Sequence, residues 1–325
     1  MSFDETNNTY SLYINGVYKM GGTASLYTNG FNNFFRIGRN KLNNYFEGAI
    51  DDIGIWNRVL TQEEITGLYT PAPVNNDLFT LIPDSNFEQK LIDLEIDNGT
   101  IDGKVLTSKI NTITQLNVSN SAIKDLTGIQ DFAQLTDLYC NQNQLTALNV
   151  SKNTFLKTLD CNNNKIENLD VSKNIALDTL SSYSNRLTAL NVKINKALKK
   201  LDCGSNQIST LDVSANTDLI FLGCNTSLLT TLDVSKNTAL KLLDCRENKL
   251  TNLDVSTIGT LTELYCQSNQ LTNLDISKNK ALEFLNCSKN LLTTLDVSVN
   301  TALVGLYSNS NQLTNLNLKN GNNTN

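Results

Sequence analysis

Residues 156–176 of the chain are LKTLDCNNNKIENLDVSKNIA, and residues 177–197 repeat the same plan as LDTLSSYSNRLTALNVKINKA. Four rows of leucine or isoleucine recur at every 21st residue, one of them through Leu159, Leu180 and Leu201. The unit LxxLxCxxNxLTxLDVSxNxx continues without a slip through nine regular coils, after one irregular coil that begins QLNVSNSAIKDLTGIQDF. Self-similarity at a fixed period of this length is the sequence signature of a solenoid.

A single coil of this kind cannot fold alone. Each coil has about seven inward apolar residues, and full burial of each contributes about 1.5–3 kcal/mol. Ordering the coil costs about 1.5 kcal/mol for every residue. Neighbouring coils must therefore cover its flanks, which predicts a right-handed stack with one short strand per turn in a parallel sheet.

Asparagine recurs at two positions in each coil. A buried amide offers two N–H donors and an acceptor oxygen, which can satisfy backbone groups left unpaired where the coil bends away from its strand. The first row is Asn143, Asn164, Asn185, Asn206, Asn248, Asn269, Asn290 and Asn311. The second row is Asn153, Asn174, Asn195, Asn216, Asn237, Asn279 and Asn300. Ser227 interrupts the first row and Ile258 the second, so we predict a local weak point at the coil around Ser227.

All seven cysteines share one apolar position of the repeat: Cys140, Cys161, Cys203, Cys224, Cys245, Cys266 and Cys287. Ser182 and Ser308 fill the same position in the two other regular coils. Thiols on neighbouring strands lie about 4.8 Å apart, which is wider than the usual Cβ separation of a disulfide. A linear stack does not converge on a metal ion either. We therefore predict a ladder of small buried side chains.

The composition excludes several functional classes. The 325 residues include no histidine, which excludes His-based triads, proton relays and His-ligated metals. A net charge of -6 argues against nucleic-acid binding. No apolar run approaches the length of a membrane span, and the polar first residues MSFDETNNTY do not form a signal peptide.

The first 70 residues have a different character. Asn15-Gly16 predicts a β-hairpin turn, and NFFRIGR and FEGAIDDIGIW predict two further strands, the first at residues 34–39. Thr61 with Glu64 forms a capping box that predicts a short helix. Pro71 and Pro73 then predict a semi-rigid linker.

After the linker, Ser85 with Glu88 is a second capping box. It predicts a helix of about three turns with Phe87, Leu91 and Leu94 on one face. A helix immediately ahead of a repeat array can cover the open hydrophobic end of that array.

The motif LxxLxCxxNxLTxLDVSxN resembles the 21-residue leucine-rich repeat of secreted, internalin-like bacterial proteins. The segment from IPDSNFEQKLIDLEID to LTGIQDF resembles their N-terminal cap, so the resemblance covers residues 79–320. It implies a mostly β fold, a right-handed leucine-rich-repeat solenoid with a helical N-terminal cap and with the Cys-bearing strands on the concave side. It also implies an extracellular or cell-surface adhesion or recognition role without catalysis. Relatives usually end in a C-terminal cap, and NLKNGNNTN contains none, which indicates a truncated sequence.

The stretches YSLYINGVY, FFRIGRN and YFEGAIDDIGIWNRVLTQEEI resemble the C-terminal half of a laminin-G/concanavalin-A-like jelly roll. The resemblance implies a partial β-sandwich from a family that often binds glycans and sometimes calcium. Asp51 and Asp52 lie in this stretch. Two roles stay open for them: a buried structural carboxylate, or a weak calcium or glycan contact.

The outward positions of the Cys-bearing strands vary from coil to coil, as a specific binding surface requires. They hold the candidate ligand-binding residues Tyr139, Phe221, Leu242, Tyr265, Phe284 and Tyr307. Tyr265, Phe284 and Tyr307 lie in three successive coils, within reach of one another across strands. Exposed aromatic clusters are typical of interaction hot spots. The alternative is cross-strand packing that only shields the sheet.

A row of aspartates alternates with buried Leu and Val and should therefore point outward. It comprises Asp170, Asp212, Asp233, Asp254, Asp275 and Asp296, with Asn149, Asn191 and Asn317 at the same position. The row is interpreted as a solvated polar face, with weak calcium binding as the alternative. Carboxylates repeated in this way imply no cleft and thus no glycosidase.

The sequence thus predicts a partial sandwich at residues 1–70, a linker at 71–78, a helical cap at 79–115, the solenoid at 116–320 and a truncated tail at 321–325. The predicted function is non-enzymatic, extracellular adhesion or recognition of a protein or glycan ligand, without nucleic acid, membrane span or obligatory cofactor. The alternatives are a targeting and spacer fragment of a larger secreted carbohydrate-active enzyme, or a purely structural stalk.

Overall fold

The computed structural model describes residues 2–4, 9–14, 17–23, 61, 63–64 and 78–321. The chain forms two compact units, Met1–Asn76 and Asp77–Asn325. The predicted strands at residues 34–39 and 46–56, together with Asp51 and Asp52, lie outside the described residues.

In the first unit, strands β1 (Ser2–Asp4), β2 (Thr9–Ile14) and β3 (Val17–Thr23) form an antiparallel sheet in chain order. Strands β2 and β3 pair up to Ile14 and Val17, which confirms the hairpin predicted from Asn15-Gly16. The capping box is also confirmed. The Thr61 N–H donates to Glu64 Oε2 at 2.9 Å, and the Glu64 N–H donates to Thr61 Oγ1 at 3.2 Å.

The second unit begins with a cap of mixed structure. Strand β4 (Phe79–Leu81) pairs antiparallel with β5 (Lys104–Leu106), and helix α1 (Ser85–Asp93) lies between them in the chain. The four-residue helix α2 (Thr107–Ile110) follows, and a 3₁₀ turn spans Ile129–Asp131. The sequence predicted a helical cap. The short apolar runs of strands β4 and β5 did not predict the two-stranded ribbon that they form.

The prediction of a second capping box, formed by Ser85 and Glu88, was wrong. The N-cap of α1 is Asp84, whose Oδ1 accepts hydrogen bonds from the N–H groups of Asn86 and Phe87. Asp84 Oδ2 accepts two further bonds from the first coil, which fixes the helix to the solenoid. Glu88 is fully buried and turns away from the helix start. Leu94 is the C-cap and is exposed, so it does not share the buried face of Phe87 and Leu91.

Ten parallel strands follow, one per coil. They are β6 (Gln115–Asn117), β7 (Asp137–Tyr139), β8 (Thr158–Asp160), β9 (Thr179–Ser181), β10 (Lys200–Asp202), β11 (Phe221–Gly223), β12 (Leu242–Asp244), β13 (Glu263–Tyr265), β14 (Phe284–Asn286) and β16 (Gly305–Tyr307). The central leucines pair directly, as Leu201 does with Leu222. On the other side, β15 (Thr294–Asp296) pairs with β17 (Asn315–Asn317), and Leu148 bridges Leu169.

One hydrophobic core runs from Ile82 in the cap to Leu303 near the last coil. The leucine, isoleucine and cysteine rows are buried as far as Leu303, as the 21-residue period predicts. In the last coil Leu306 and Leu313 are partly buried and Leu316 is 40% exposed. Phe87 of α1 stacks near Phe132 at a ring separation of 6.4 Å, which joins the cap to this core. The fold is therefore a mostly β, leucine-rich-repeat solenoid of about ten turns.

The first asparagine row uses both halves of each amide. Asn248 Nδ2 donates to the carbonyl oxygens of Cys224 and Cys245, both at 3.0 Å, while Asn248 Oδ1 accepts from Leu229 N at 3.0 Å. The same pattern recurs at the other asparagines of the row. Each amide thereby joins two coils at the bend that follows the strand.

The second row uses only the donor half. Asn216 Nδ2 donates to Val192 O at 3.0 Å and to Asn195 O at 2.8 Å, and Asn216 is fully buried. Across this row the Oδ1 atoms have no hydrogen-bond partner among the described residues. The row ties neighbouring turns together through carbonyl groups alone.

The coil that carries Ser227 lacks these bonds. An asparagine there would donate to Cys203 O and Cys224 O and accept from Ile208 N, by analogy with Asn248. Ser227 instead makes one long contact, from Oγ to Asn225 O at 3.5 Å. Ser227→Asn should restore the interactions and raise the free energy of unfolding by about 1–2 kcal/mol. A urea midpoint that does not rise, at unchanged slope, would contradict this.

Candidate functional site

The candidate site is the outward face of the ten-stranded sheet, which we call the sheet face. It is formed by the first and third residues of strands β6–β14 and β16, because alternate residues of a strand point to opposite sides. All six candidate residues occupy these positions: Tyr139, Phe221, Leu242, Tyr265, Phe284 and Tyr307. Phe284 is 40% exposed and Tyr307 60% exposed, while the other four are partly buried.

The expected cluster of Tyr265, Phe284 and Tyr307 is not a single stack. The strand register sets Tyr265 opposite Asn286 and Phe284 opposite Gly305. Tyr265 therefore lies in a different column from Phe284, and Asn286 separates it from Tyr307. The structure instead pairs Phe221 directly with Leu242.

Local contacts hold several of these side chains. The ring of Phe284 lies across Gly305, where an added Cβ would come within 2.5 Å of a ring carbon. Lys200 Nζ lies 5.4 Å from the centre of the Phe221 ring. Tyr265 donates a hydrogen bond to Glu263 Oε2 at 2.8 Å, and this bond raises the pKa of Tyr265 to about 12. The sheet face is thus partly preorganised.

Tyr139 lies apart from the others, at the cap end of the sheet face. It borders a hollow of about 390 Å³ that is also lined by Leu94, Ile96, Gln115 and Asn117. The exposed Leu94, which the helix pattern placed on one face with Phe87 and Leu91, forms part of its wall.

Three carboxylates of the sheet face were missed by the sequence reasoning. Asp160, Asp202 and Asp244 occupy the same strand position as Tyr139 and Tyr265, on every second coil. Burial raises the pKa of each, although Arg246 Nη2 lies 3.4 Å from Asp244 Oδ2. The folded chain therefore holds these protons more tightly than the unfolded chain, and their contribution to stability falls as the pH rises above 3.8. The sequence could have identified the three aspartates, because alternation along each strand places its third residue on the outward side.

The aspartate row outside the sheet has a structural role. Each carboxylate accepts a hydrogen bond from the backbone N–H two residues later, as Asp212 does from Ser214 at 3.0 Å. Asn149, Asn191 and Asn317 make the same turn. Bonds from the Ser214 hydroxyl and N–H, followed by Lys193, lower the pKa of Asp212 to about 2. The stability that Asp212 gains from these bonds is present at pH values above its ordinary pKa. It is lost as the pH falls towards the pKa of Asp212 in the folded chain.

Metal binding finds no support in the described part of the chain, where no group of three or more Cys, Asp or Glu side chains is placed to hold an ion. The seven cysteines are free and buried, as predicted for a ladder. Burial raises the pKa of their thiols, for example that of Cys203 to about 12, which keeps them protonated and unreactive. Within the described residues, no helix is long and apolar enough to cross a membrane.

Comparison with known proteins agrees with this architecture. Residues 1–66 match the concanavalin A-like lectin/glucanases superfamily. A stretch of 79 residues, 24% of this chain, is 40% identical to internalin J of Listeria monocytogenes serotype 4b (strain F2365) and corresponds to 8% of that protein. The chain therefore spans a small part of this curated relative.

Solved structures extend the similarity. The functional domain of InlJ from Listeria monocytogenes, which includes a cysteine ladder, has a TM-score of 0.70 and 38% identity over 73% of this chain and 53% of that chain. A leucine-rich-repeat protein of Leptospira interrogans has a TM-score of 0.61 and 24% identity over 67% of this chain and 63% of that chain, which shows the shared fold. This chain thus carries a leucine-rich-repeat solenoid homologous to that of internalin J, after an N-terminal segment that matches the concanavalin A-like superfamily.

Proposed function

We propose that this chain is a non-enzymatic recognition protein that acts outside the cell or at a cell surface. The sheet face binds a protein ligand. The observation that carries this proposal is the contrast between its positions and the rest of the coil. The core, the two asparagine rows and the aspartate row repeat with little change. The outward strand positions differ between coils: from β10 to β11 the first changes from Lys200 to Phe221 and the third from Asp202 to Gly223.

A surface of this kind suits a protein partner. Short strands pinned on both sides by asparagine bonds form a rigid base, so binding costs little ordering of the receptor. The exposed rings of Phe284 and Tyr307 supply aromatic anchors near one end. Three carboxylates towards the other end of the sheet face can pair with basic or hydrogen-bond-donating groups of a partner: Asp160, Asp202 and Asp244.

Glycan recognition is a second candidate for residues 1–66. Their match to a superfamily of lectins and glucanases supports it. In the spacer alternative, the solenoid only carries such a binding module within a larger secreted carbohydrate-active enzyme.

A binding screen separates these functions. Arrays of immobilised glycans and of secreted and cell-surface proteins are probed with residues 1–325 and 77–325, each with and without calcium. We expect protein ligands that bind both chains equally. Glycan binding by the longer chain alone would overturn the sheet-face proposal and favour the alternative in which the solenoid is only a spacer.

Any protein ligand found is then tested against a double variant. F284S/Y307S should weaken binding at least tenfold, or about 1.4 kcal/mol, and a urea denaturation curve of the variant shows that it is folded at the binding temperature. The matched control is L228Q/L291Q, which removes two apolar side chains, each 42% exposed, from outside the sheet face. Equal affinity of the two variants would contradict the proposal.

A further inference from the structure

A second surface lies on the turns that precede strands β8, β9 and β10. Phe155, Ile175 and Ile194 occupy these turns and are 54%, 65% and 52% exposed. Five exposed lysines lie within five residues of one of them along the chain: Lys152, Lys157, Lys173, Lys196 and Lys199. We call these eight residues the turn patch.

The apolar members are departures from the repeat. The position of Phe155 holds alanine in most coils, and the position of Ile175 most often holds threonine. The position of Ile194 is lysine in four of the other coils. The fold therefore does not require large apolar side chains here, and three of them exposed on successive coils point to an interaction surface.

The turns that carry the patch are fixed to one another. Asn174 Nδ2 donates to Val150 O at 3.0 Å and to Asn153 O at 2.8 Å, and Asn195 makes the equivalent bonds to the turn of Asn174. Neighbouring coils are about 4.8 Å apart where their strands pair. The apolar side chains are therefore presented together on a rigid support.

The charge of the patch opposes that of the chain. The whole chain carries -6, whereas the patch contains five lysines. Four aspartates lie within five residues of a patch lysine, and three of them are partly buried: Asp160, Asp178 and Asp202, with Asp170 exposed. None of the five forms an ion pair with another described residue, although the neighbouring Lys193 lies 3.2 Å from Asp212. The complementary partner is anionic and also accepts apolar side chains.

We infer that the turn patch docks onto an anionic phospholipid surface. The lysines contact headgroup phosphates, and Phe155, Ile175 and Ile194 enter the boundary between headgroups and acyl chains. Acidic polysaccharides and nucleic acids would satisfy the lysines but would gain nothing from two isoleucines. This docking is independent of ligand binding by the sheet face.

The test is cosedimentation of the 325-residue chain with vesicles of three parts phosphatidylcholine to one part phosphatidylglycerol, and with pure phosphatidylcholine vesicles. We expect binding to the anionic vesicles only. K152E/K173E should weaken it by at least about 25-fold, since each lysine near the surface contributes about fivefold. K236E/K278E is the matched control, because it makes the same charge change at the same repeat position in later coils, away from the apolar residues.

A second variant tests the apolar contribution. F155A/I175T introduces the residues that other coils carry at these positions, so the fold should persist, and binding should fall about tenfold. F284S/Y307S should leave vesicle binding unchanged, which separates this inference from the proposed function.

Three outcomes would overturn the inference. One is absence of binding to the anionic vesicles, and another is equal weakening by the two lysine pairs. The third is full binding by F155A/I175T, which would reduce the patch to nonspecific charge attraction. If vesicles fail to bind while an acidic protein from the array requires the patch, the surface is a protein interface instead.

Discussion

Replacing Asn216 with alanine is expected to lower the free energy of unfolding by about 2–4 kcal/mol. The side chain is fully buried, and its Nδ2 donates to Val192 O and Asn195 O. Alanine removes both donors from buried carbonyl groups and leaves a cavity between two turns. Urea denaturation measures the loss, and the exposed Asn252→Ala is the control, with an expected change within about 0.5 kcal/mol.

The chain itself offers a way to separate the cavity from the hydrogen bonds. Ile258 stands at the same position of the second row, and its N–H still donates to Val255 O at 3.0 Å, as Asn216 N does to Val213 O at 2.9 Å. Asn216→Ile should therefore fill the space and keep the turn, so its cost should be smaller than that of alanine. If the isoleucine variant is as stable as the original chain, the amide donors contribute nothing and the ladder argument is wrong.

Most of the solenoid could be predicted because the same residue types recur at a fixed period in its sequence. A slip of one residue would expose a whole row, so the leucine and cysteine positions specify the register without knowledge of the contacts. The turn after each strand was not predicted. The second residue after the Cys position has φ between 51° and 58° in every regular coil, yet it is Gln142 in one coil and Lys289 in another. In all but the last of these coils the N–H of this residue donates to a carbonyl of the next coil, as Thr226 N does to Arg246 O at 2.9 Å beside Ser227. This pairing between coils accompanies the turn, and no glycine signals it.

The sheet face was predicted by position and missed in detail. Alternation along a strand was enough to assign the outward residues. It could not show that Tyr265 would bond to Glu263 or that Phe284 would lie over Gly305, since those contacts depend on rotamers and on the neighbouring coil. The raised pKa of Asp202 likewise comes from burial by adjacent coils, which a single strand sequence does not contain.

The two capping boxes show the same limit more sharply. Thr61 with Glu64 forms the reciprocal bonds that the pattern predicts. Ser85 with Glu88 has the same spacing, but Asp84 takes the N-cap position and frees Glu88 for another role. The partners of Glu88 lie 14 to 16 residues further along the chain, so no local pattern identifies them.

Glu88 closes the loop between α1 and β5. Its Oε1 accepts hydrogen bonds from Asp102 N at 2.8 Å and Gly103 N at 2.9 Å, and from Lys104 N at 3.3 Å. Its Oε2 also accepts from Gly103 N at 2.9 Å. Gly103 O in turn accepts from Ile82 N at 2.8 Å, so the carboxylate organises the loop that begins the β4–β5 ribbon.

Glu88→Ala should therefore destabilise the cap by at least about 3 kcal/mol, because several backbone N–H groups lose a charged acceptor in a buried site. Glu88→Gln keeps one acceptor oxygen and the volume, so its cost should be about half as large. The control is Glu167→Gln, since Glu167 is exposed and its 4.0 Å contact with Arg186 contributes at most about 1 kcal/mol. Urea denaturation gives the stability, and hydrogen exchange at residues 102–104 shows whether protection is lost there first. Unchanged protection in Glu88→Ala would mean that the loop is held by the β4–β5 pairing and that the buried carboxylate is dispensable.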